Sequence, residues 1–123
     1  MRIILKGQVR GGKNNIKITR TGRRYPDPNF VRWSVDATHQ VYKQLGPAHT
    51  REPINTFNWD WIFCYTPEDH RRRDVPAVLD AVFHVLEAAG VVADDRYIST
   101  LHFTTNPPDK EKAGMIIDFV KIL

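Results

Sequence analysis

Polar and apolar positions along the chain switch between a period of two and a period near 3.6, and the switches lay out the elements. Met1 to Val9 opens with a short apolar run that predicts a first strand. Ile16 and Ile18 alternate with Lys17 and Thr19, as in a short strand or hairpin arm, and Pro26-Asp27-Pro28-Asn29 closes this region with Asn29 as the expected helix N-cap. Phe30, Trp33, Ala37, Val41 and Leu45 then fall three or four apart on one helix face, which Gly46-Pro47 terminates. Thr56 to Tyr65 predicts a strand with Phe57, Trp59, Trp61, Phe63 and Tyr65 on one side, a pattern compatible with a core face, a dimer interface or a stacking surface for unpaired bases. After a polar bend over residues 66–74, Val78, Leu79, Val82, Phe83, Leu86 and Ala89 recur at helical spacing, with Gly90 just past the helix end. Tyr97 to Thr104 predicts a third main strand and Met115 to Ile122 a last one. The order β-α-β-α-β-β predicts an α+β fold, a small mixed sheet with two helices packed on it.

Composition narrows the class. With 123 residues, 41% hydrophobic, 26% charged and 11% aromatic, the chain suits one globular domain over residues 1–123 and departs from disordered, collagen-like and coiled-coil compositions. No apolar run approaches the roughly 18 residues of a membrane span, and Met1 to Lys6 is too short for a signal peptide, so a cytoplasmic protein with no membrane partner is expected. Cys64 is the only cysteine, leaving no internal disulfide and no cysteine cluster for zinc. Charge changes the picture more. The net charge is +4, yet residues 1–26 carry Arg2, Lys6, Arg10, Lys13, Lys17, Arg20, Arg23 and Arg24 and no acid, so a basic, glycine-rich arm at about 9–29 is joined to a mildly acidic body. Eight cations without an acid repel one another unless a polyanion screens them, and nucleic acid is the polyanion expected, with Lys13, Lys17, Arg20, Arg23 and Arg24 as contacts.

Two patterns lack the residues their chemistry needs, and a third has them. Gly7 to Lys13 has the glycine and lysine spacing of a phosphate-binding loop, but Asn14 replaces the hydroxyl that would hold magnesium and the following residues predict strand or loop, so no nucleotide cofactor is expected. His39, His49, His70, His84 and His102 lack the short pairings of a zinc site. The third is Thr66-Pro67-Glu68-Asp69-His70-Arg71-Arg72-Arg73-Asp74, followed by the helix from Pro76 and by Asp94-Asp95. Carboxylates beside arginines suit a magnesium ion at a cleaved phosphodiester, with Arg71, Arg72 and Arg73 on the DNA backbone. They also suit a helix cap, a polar turn and a solvated loop. Because the residue before a proline avoids helical dihedrals, Val75 is the expected N-cap and Pro76 the first helical residue, leaving Asp74 outside the helix.

Cys64-Tyr65-Thr66-Pro67, the run Arg71-Arg72-Arg73-Asp74, the amphipathic helix to Gly90, and Asp94-Asp95 together resemble the RusA family of Holliday junction resolvases over about 40 residues, with the arm and first helix extending the likeness loosely. The resemblance implies a phage-type, homodimeric α+β endonuclease of DNA recombination and repair that binds branched DNA and nicks four-way junctions with Mg2+ or Mn2+. It assigns Asp74, Asp94 and Asp95 to catalysis and to the metal. Pro76 stands where the family's second aspartate belongs, Ala77 for its asparagine and Asp80 for a lysine one turn along; Asp80 could reach the metal only through water. The alternative implied by these departures is a family member that binds branched or single-stranded DNA without cutting it.

Overall fold

The computed structural model describes residues 1–12 and 16–122. From the N-terminus the elements are β1 (Arg2–Lys6), β2 (Ile16–Ile18), β3 (Arg24–Pro26), α1 (Pro28–Leu45), β4 (Trp59–Thr66), α2 (Val75–Ala88), β5 (Thr100–Thr105) and β6 (Gly114–Lys121). Short 3-10 turns occupy Ala48–Thr50 and Asp95–Tyr97. The main sheet is mixed, in the order β1-β6-β4-β5, with β4 and β5 parallel and joined through α2 while the other pairs are antiparallel. The protein is thus α+β, as the alternation predicts, and β2 and β3 form a separate antiparallel hairpin. Among the described residues, no helix is long and apolar enough to cross a membrane.

Period-two alternation decides which sheet face is covered. Trp61, Phe63 and Tyr65 of β4, Ile3 and Leu5 of β1, and Met115, Ile117 and Phe119 of β6 all point to one side and are buried. They form one core with Phe30, Ala37 and Val41 of α1 and Val78, Ala81, Val82, Val85 and Leu86 of α2. Both helices therefore lie on the same face, and Ile4, Ile62 and Val120 are exposed on the other. Helix α1 also closes the outer edge of β1. The Gln44 amide exchanges two hydrogen bonds with Ile4, both 2.8 Å, and the Gln40 amide does the same with Lys6 at 2.8 and 3.3 Å. Two glutamines four apart on a helix thus take the place of a neighbouring strand.

Several boundaries differ from the expected ones. Asp27, not Asn29, caps α1: its Oδ1 accepts the Asn29 N–H at 2.9 Å, and Pro28 fills the first helical position, where a missing N–H costs nothing. Of the five aromatics, Phe57 precedes β4 and is 58% exposed, and Trp59 is half-buried, so the core face consists of Trp61, Phe63 and Tyr65. Helix α2 starts one residue early, with Asp74 rather than Val75 as N-cap, because Val75 adopts helical geometry at N1. Tyr97 belongs to the 3-10 turn, and β5 begins at Thr100. The helix stop at Gly90 holds: Gly90 N–H bonds the Glu87 carbonyl and Val91 N–H the Leu86 carbonyl, both at 2.9 Å, the reciprocal pair of a Schellman motif.

Candidate nucleic-acid interface and metal centre

In the β4-α2-β5 unit, the first helical turn lies at the carboxyl ends of the parallel strands and the last turn at their amino ends. The charged residues singled out in the sequence divide between these two ends.

At the carboxyl ends, the loop from Pro67 to Asp74 is tied down by polar contacts. Gln8, only 6% exposed, donates to the Tyr65 hydroxyl at 2.6 Å and accepts the Glu68 N–H at 2.7 Å. Asn106 donates to the Thr66 hydroxyl at 3.1 Å, and Asp109 N–H to the Pro67 carbonyl at 2.9 Å. Arg73 turns into the loop, meeting Asp69 at 2.8 Å and Glu68 at 3.7 Å, with its side chain 18% exposed; Arg10 from the arm reaches Glu68 at 3.9 Å. The Arg73 hydrogen bond, aided by the Arg71 N–H, holds the Asp69 carboxyl below the usual carboxylate range. Arg73 is thus spent on the loop, whereas Arg71 and Arg72 are exposed. Asp74 is exposed too, and its side chain makes no cap hydrogen bond.

At the amino ends, Asp94 and Asp95 follow the Schellman turn, which folds the chain back onto the last turn of α2. There they meet Glu87, and one oxygen from each of the three carboxylates lies within 4.8 Å of the others. Glu87 accepts the Asp95 N–H at 2.6 Å, and Asp94 accepts the Arg96 N–H at 2.9 Å as the cap of the 3-10 turn. The Arg96 guanidinium sits over the Tyr97 ring at 5.0 Å, and Tyr97 packs against exposed Phe57 at a centroid distance of 5.0 Å. Three oxygen donors suit a hard cation. Oxygens on one octahedral Mg2+ at about 2.1 Å sit about 3.0 Å apart when cis and about 4.2 Å apart when trans, so the trio has to draw together to share one ion.

The expected grouping of Asp74 with Asp94 and Asp95 is not formed within the chain. Asp74 caps the start of α2 and Glu87 lies thirteen residues on, which at 1.5 Å per residue is about 20 Å along the axis. Asp80, half-buried, lies about 10 Å back from Glu87, more than one bridging water spans. Glu87 was missed by sequence reasoning. A signal was present: a glutamate in a last helical turn with no basic residue faces the negative end of the helix dipole, a local cost that asks for a compensating cation. The arm cations Lys17, Arg20, Arg23 and Arg24 are all exposed on or beside the β2–β3 hairpin, whereas Lys13 lies outside the described residues. Gly11 packs on Ala77 in the first turn of α2, which brings the base of the arm to the carboxyl-end loop. No known protein-family model matches the chain, and no curated protein sequence matches it.

Proposed function

We propose that this protein is a divalent-metal-dependent endonuclease acting on branched DNA, four-way junctions first among them, in the cytoplasm, with the metal site at Glu87, Asp94 and Asp95. The convergence of these three carboxylates on one point carries the reading, because it is the arrangement a hard cation relieves. The basic arm supports it by supplying the charge that a phosphate backbone requires. A bound Mg2+ or Mn2+ would activate water and stabilise charge at the phosphodiester. The chain's own part is to hold the oxygens through the Glu87 and Asp94 hydrogen bonds, and to hold DNA through Arg71, Arg72 and the arm. The arginines lie about 20 Å from the trio, about six nucleotide steps at 3.4 Å each, so they grip the backbone at a distance from the cut. A two-fold homodimer would present two trios to the two equivalent strands of a junction, and sedimentation at micromolar concentration should give twice the monomer mass.

The second reading, binding without cleavage, is favoured by the helix length between Asp74 and the trio, and by Pro76. A labelled synthetic four-way junction incubated with and without Mn2+ separates the two. Paired nicks that vanish in Asp95→Asn establish the nuclease; a shifted but intact junction at millimolar Mn2+ gives first place to binding alone.

A further inference from the structure

The β2–β3 hairpin is built unlike the rest of the molecule. All six of its strand residues are exposed, Ile18 at 66%, and so is every residue from Arg20 to Pro26. An isolated two-stranded ribbon is marginal in water, so a hairpin left uncovered on both faces is suited to being covered by a partner. Its register is nonetheless well fixed. Ile16 pairs with Pro26, Lys17 with Tyr25 and Ile18 with Arg24. Thr19 N–H then bonds the Arg23 carbonyl at 2.9 Å, the Thr19 hydroxyl accepts the Arg23 N–H at 3.0 Å, and Gly22 N–H bonds the Thr19 carbonyl at 3.0 Å. Gly22 has φ +82°, the left-handed residue that completes a three-residue hairpin loop.

Because residues paired across a ribbon share a face, the two faces differ in chemistry. One carries Ile16, Ile18, Arg24 and Pro26. The other carries Lys17, Thr19, Arg23 and Tyr25, a set rich in hydrogen-bond donors. We propose that the hairpin is a ribbon that enters the major groove of B-form duplex DNA, laying the Lys17, Thr19, Arg23 and Tyr25 face against base edges while Arg20 and Arg24 meet phosphates. This rests on the reading above that DNA is the partner. Charge selects the occupant, since the hairpin holds four cations and no acid. Size selects the groove: a major groove about 12 Å wide and 8.5 Å deep admits a two-stranded ribbon, and the ladder from Ile16 to Thr19 rises about 10 Å. An A-form RNA duplex has a deep, narrow major groove that side chains do not read, so this binding discriminates against it.

The test is equilibrium binding in EDTA, so that cleavage plays no part, to a DNA duplex, a four-way DNA junction and an RNA duplex of the same sequence. The wild type should bind both DNAs at least about tenfold more tightly than the RNA. Lys17→Ala with Arg23→Ala should weaken DNA binding at least about tenfold with little change in the slope of log K on log salt, Arg20→Ala with Arg24→Ala should reduce that slope by about 2, and Ile16→Ser and Ile18→Ser on the other face should stay within about twofold. Gly22→Ala keeps every charge but strains the turn, and should weaken binding; Gly22→Asn, tolerated at positive φ, should restore it. If Gly22→Ala has no effect, and Lys17→Ala with Arg23→Ala costs no more than Arg32→Ala with Lys43→Ala on α1, the ribbon proposal is wrong while DNA binding stands. Equal affinity for RNA and DNA duplexes also overturns it. If the wild type binds no DNA at all, the underlying reading fails with it.

Discussion

The two ends of helix α2 carry similar numbers of charges and treat them in opposite ways. At its start, Arg73 and Arg10 face Glu68 and Asp69, and buried Gln8 links the loop to Tyr65, so opposite charges are paired and the polar groups satisfied within the chain. At its finish, Glu87, Asp94 and Asp95 converge with like sign beside the negative end of the helix dipole. Two cations at that end are otherwise committed: Arg51 donates to the Gly46 and Ala89 carbonyls, closing both helix C-termini, and Arg96 lies over Tyr97. A paired network is explained by the fold it holds, whereas at the finish Glu87 and Asp94 accept only backbone N–H groups and, among the described residues, no cation pairs with the trio. The proposed metal site is therefore assigned to the finish of α2, and the start to the proposed hold on DNA.

The largest effect should come from breaking the scaffold of the paired end. Gly114 stands opposite Lys6 and Thr66 there, with φ +147°, and a Cβ on it would lie 1.9 Å from the Leu5 carbonyl oxygen. Backbone has to move, so Gly114→Ala should cost about 3 kcal/mol or more, read as a lowered urea midpoint. Next comes Arg51, whose guanidinium bridges the ends of both helices. Arg51→Met keeps much of the stem but leaves the Gly46 and Ala89 carbonyls unpaired, and should cost about 2 kcal/mol in the same assay. A loss as large as that of Gly114→Ala would mean that the finish of α2, and not the start, holds the fold together.

The core was legible because one strand face repeats every two residues: Trp61, Phe63 and Tyr65 could point only one way once the strand was recognised. Phe57 continues that period, yet it lies outside β4, because the strand begins where Trp59 pairs with Lys121, and no periodicity reveals a partner's end. The Gln40 and Gln44 clasp on β1 was invisible for the same reason, being a contact between elements distant in sequence. For the candidate site, Asp94 and Asp95 were legible as a pair and Glu87 was not, since a carboxylate joins the group only through the fold-back after Gly90. The separation of Asp74 from that pair could have been read in advance, because a fourteen-residue helix is about 21 Å long and the chain's nearness in sequence hides it.

A smaller effect sharpens the contrast at the finish of α2. Anything that binds the folded state alone stabilises it by RT ln(1 + [L]/Kd), so Mn2+ at ten times its Kd should add about 1.4 kcal/mol to the unfolding free energy. Glu87→Gln and Asp95→Asn should each remove this increment and, with no metal present, raise the melting temperature, since each relieves like-charge repulsion. Asp69→Asn at the start of the helix should leave the Mn2+ increment unchanged. An increment that survives Asp95→Asn but is lost in Asp74→Asn would move the metal to the other end.

The smallest expected effect concerns acid. Asp69, with Arg73 as its chief cause, and Asp118, with Arg2 bonded at 2.8 and 3.0 Å, both have carboxyls held below the usual range. A carboxyl depressed in the folded state leaves the unfolded chain binding more protons, so stability rises with pH and is lost on acidification. The contribution is complete above the unfolded value near 3.9 and is lost as pH drops through the folded one. Arg73→Gln should therefore flatten the decline in unfolding free energy between about pH 6 and about pH 3, and Arg2→Gln should flatten it independently, because the two pairs lie on different strands and loops. Both differences should shrink in high salt, as solvent screens exposed pairs. If Arg73→Gln leaves the acid limb unchanged while Arg2→Gln flattens it, the charges at the start of α2 do not stabilise one another, and the contrast between the two ends of the helix loses its electrostatic basis.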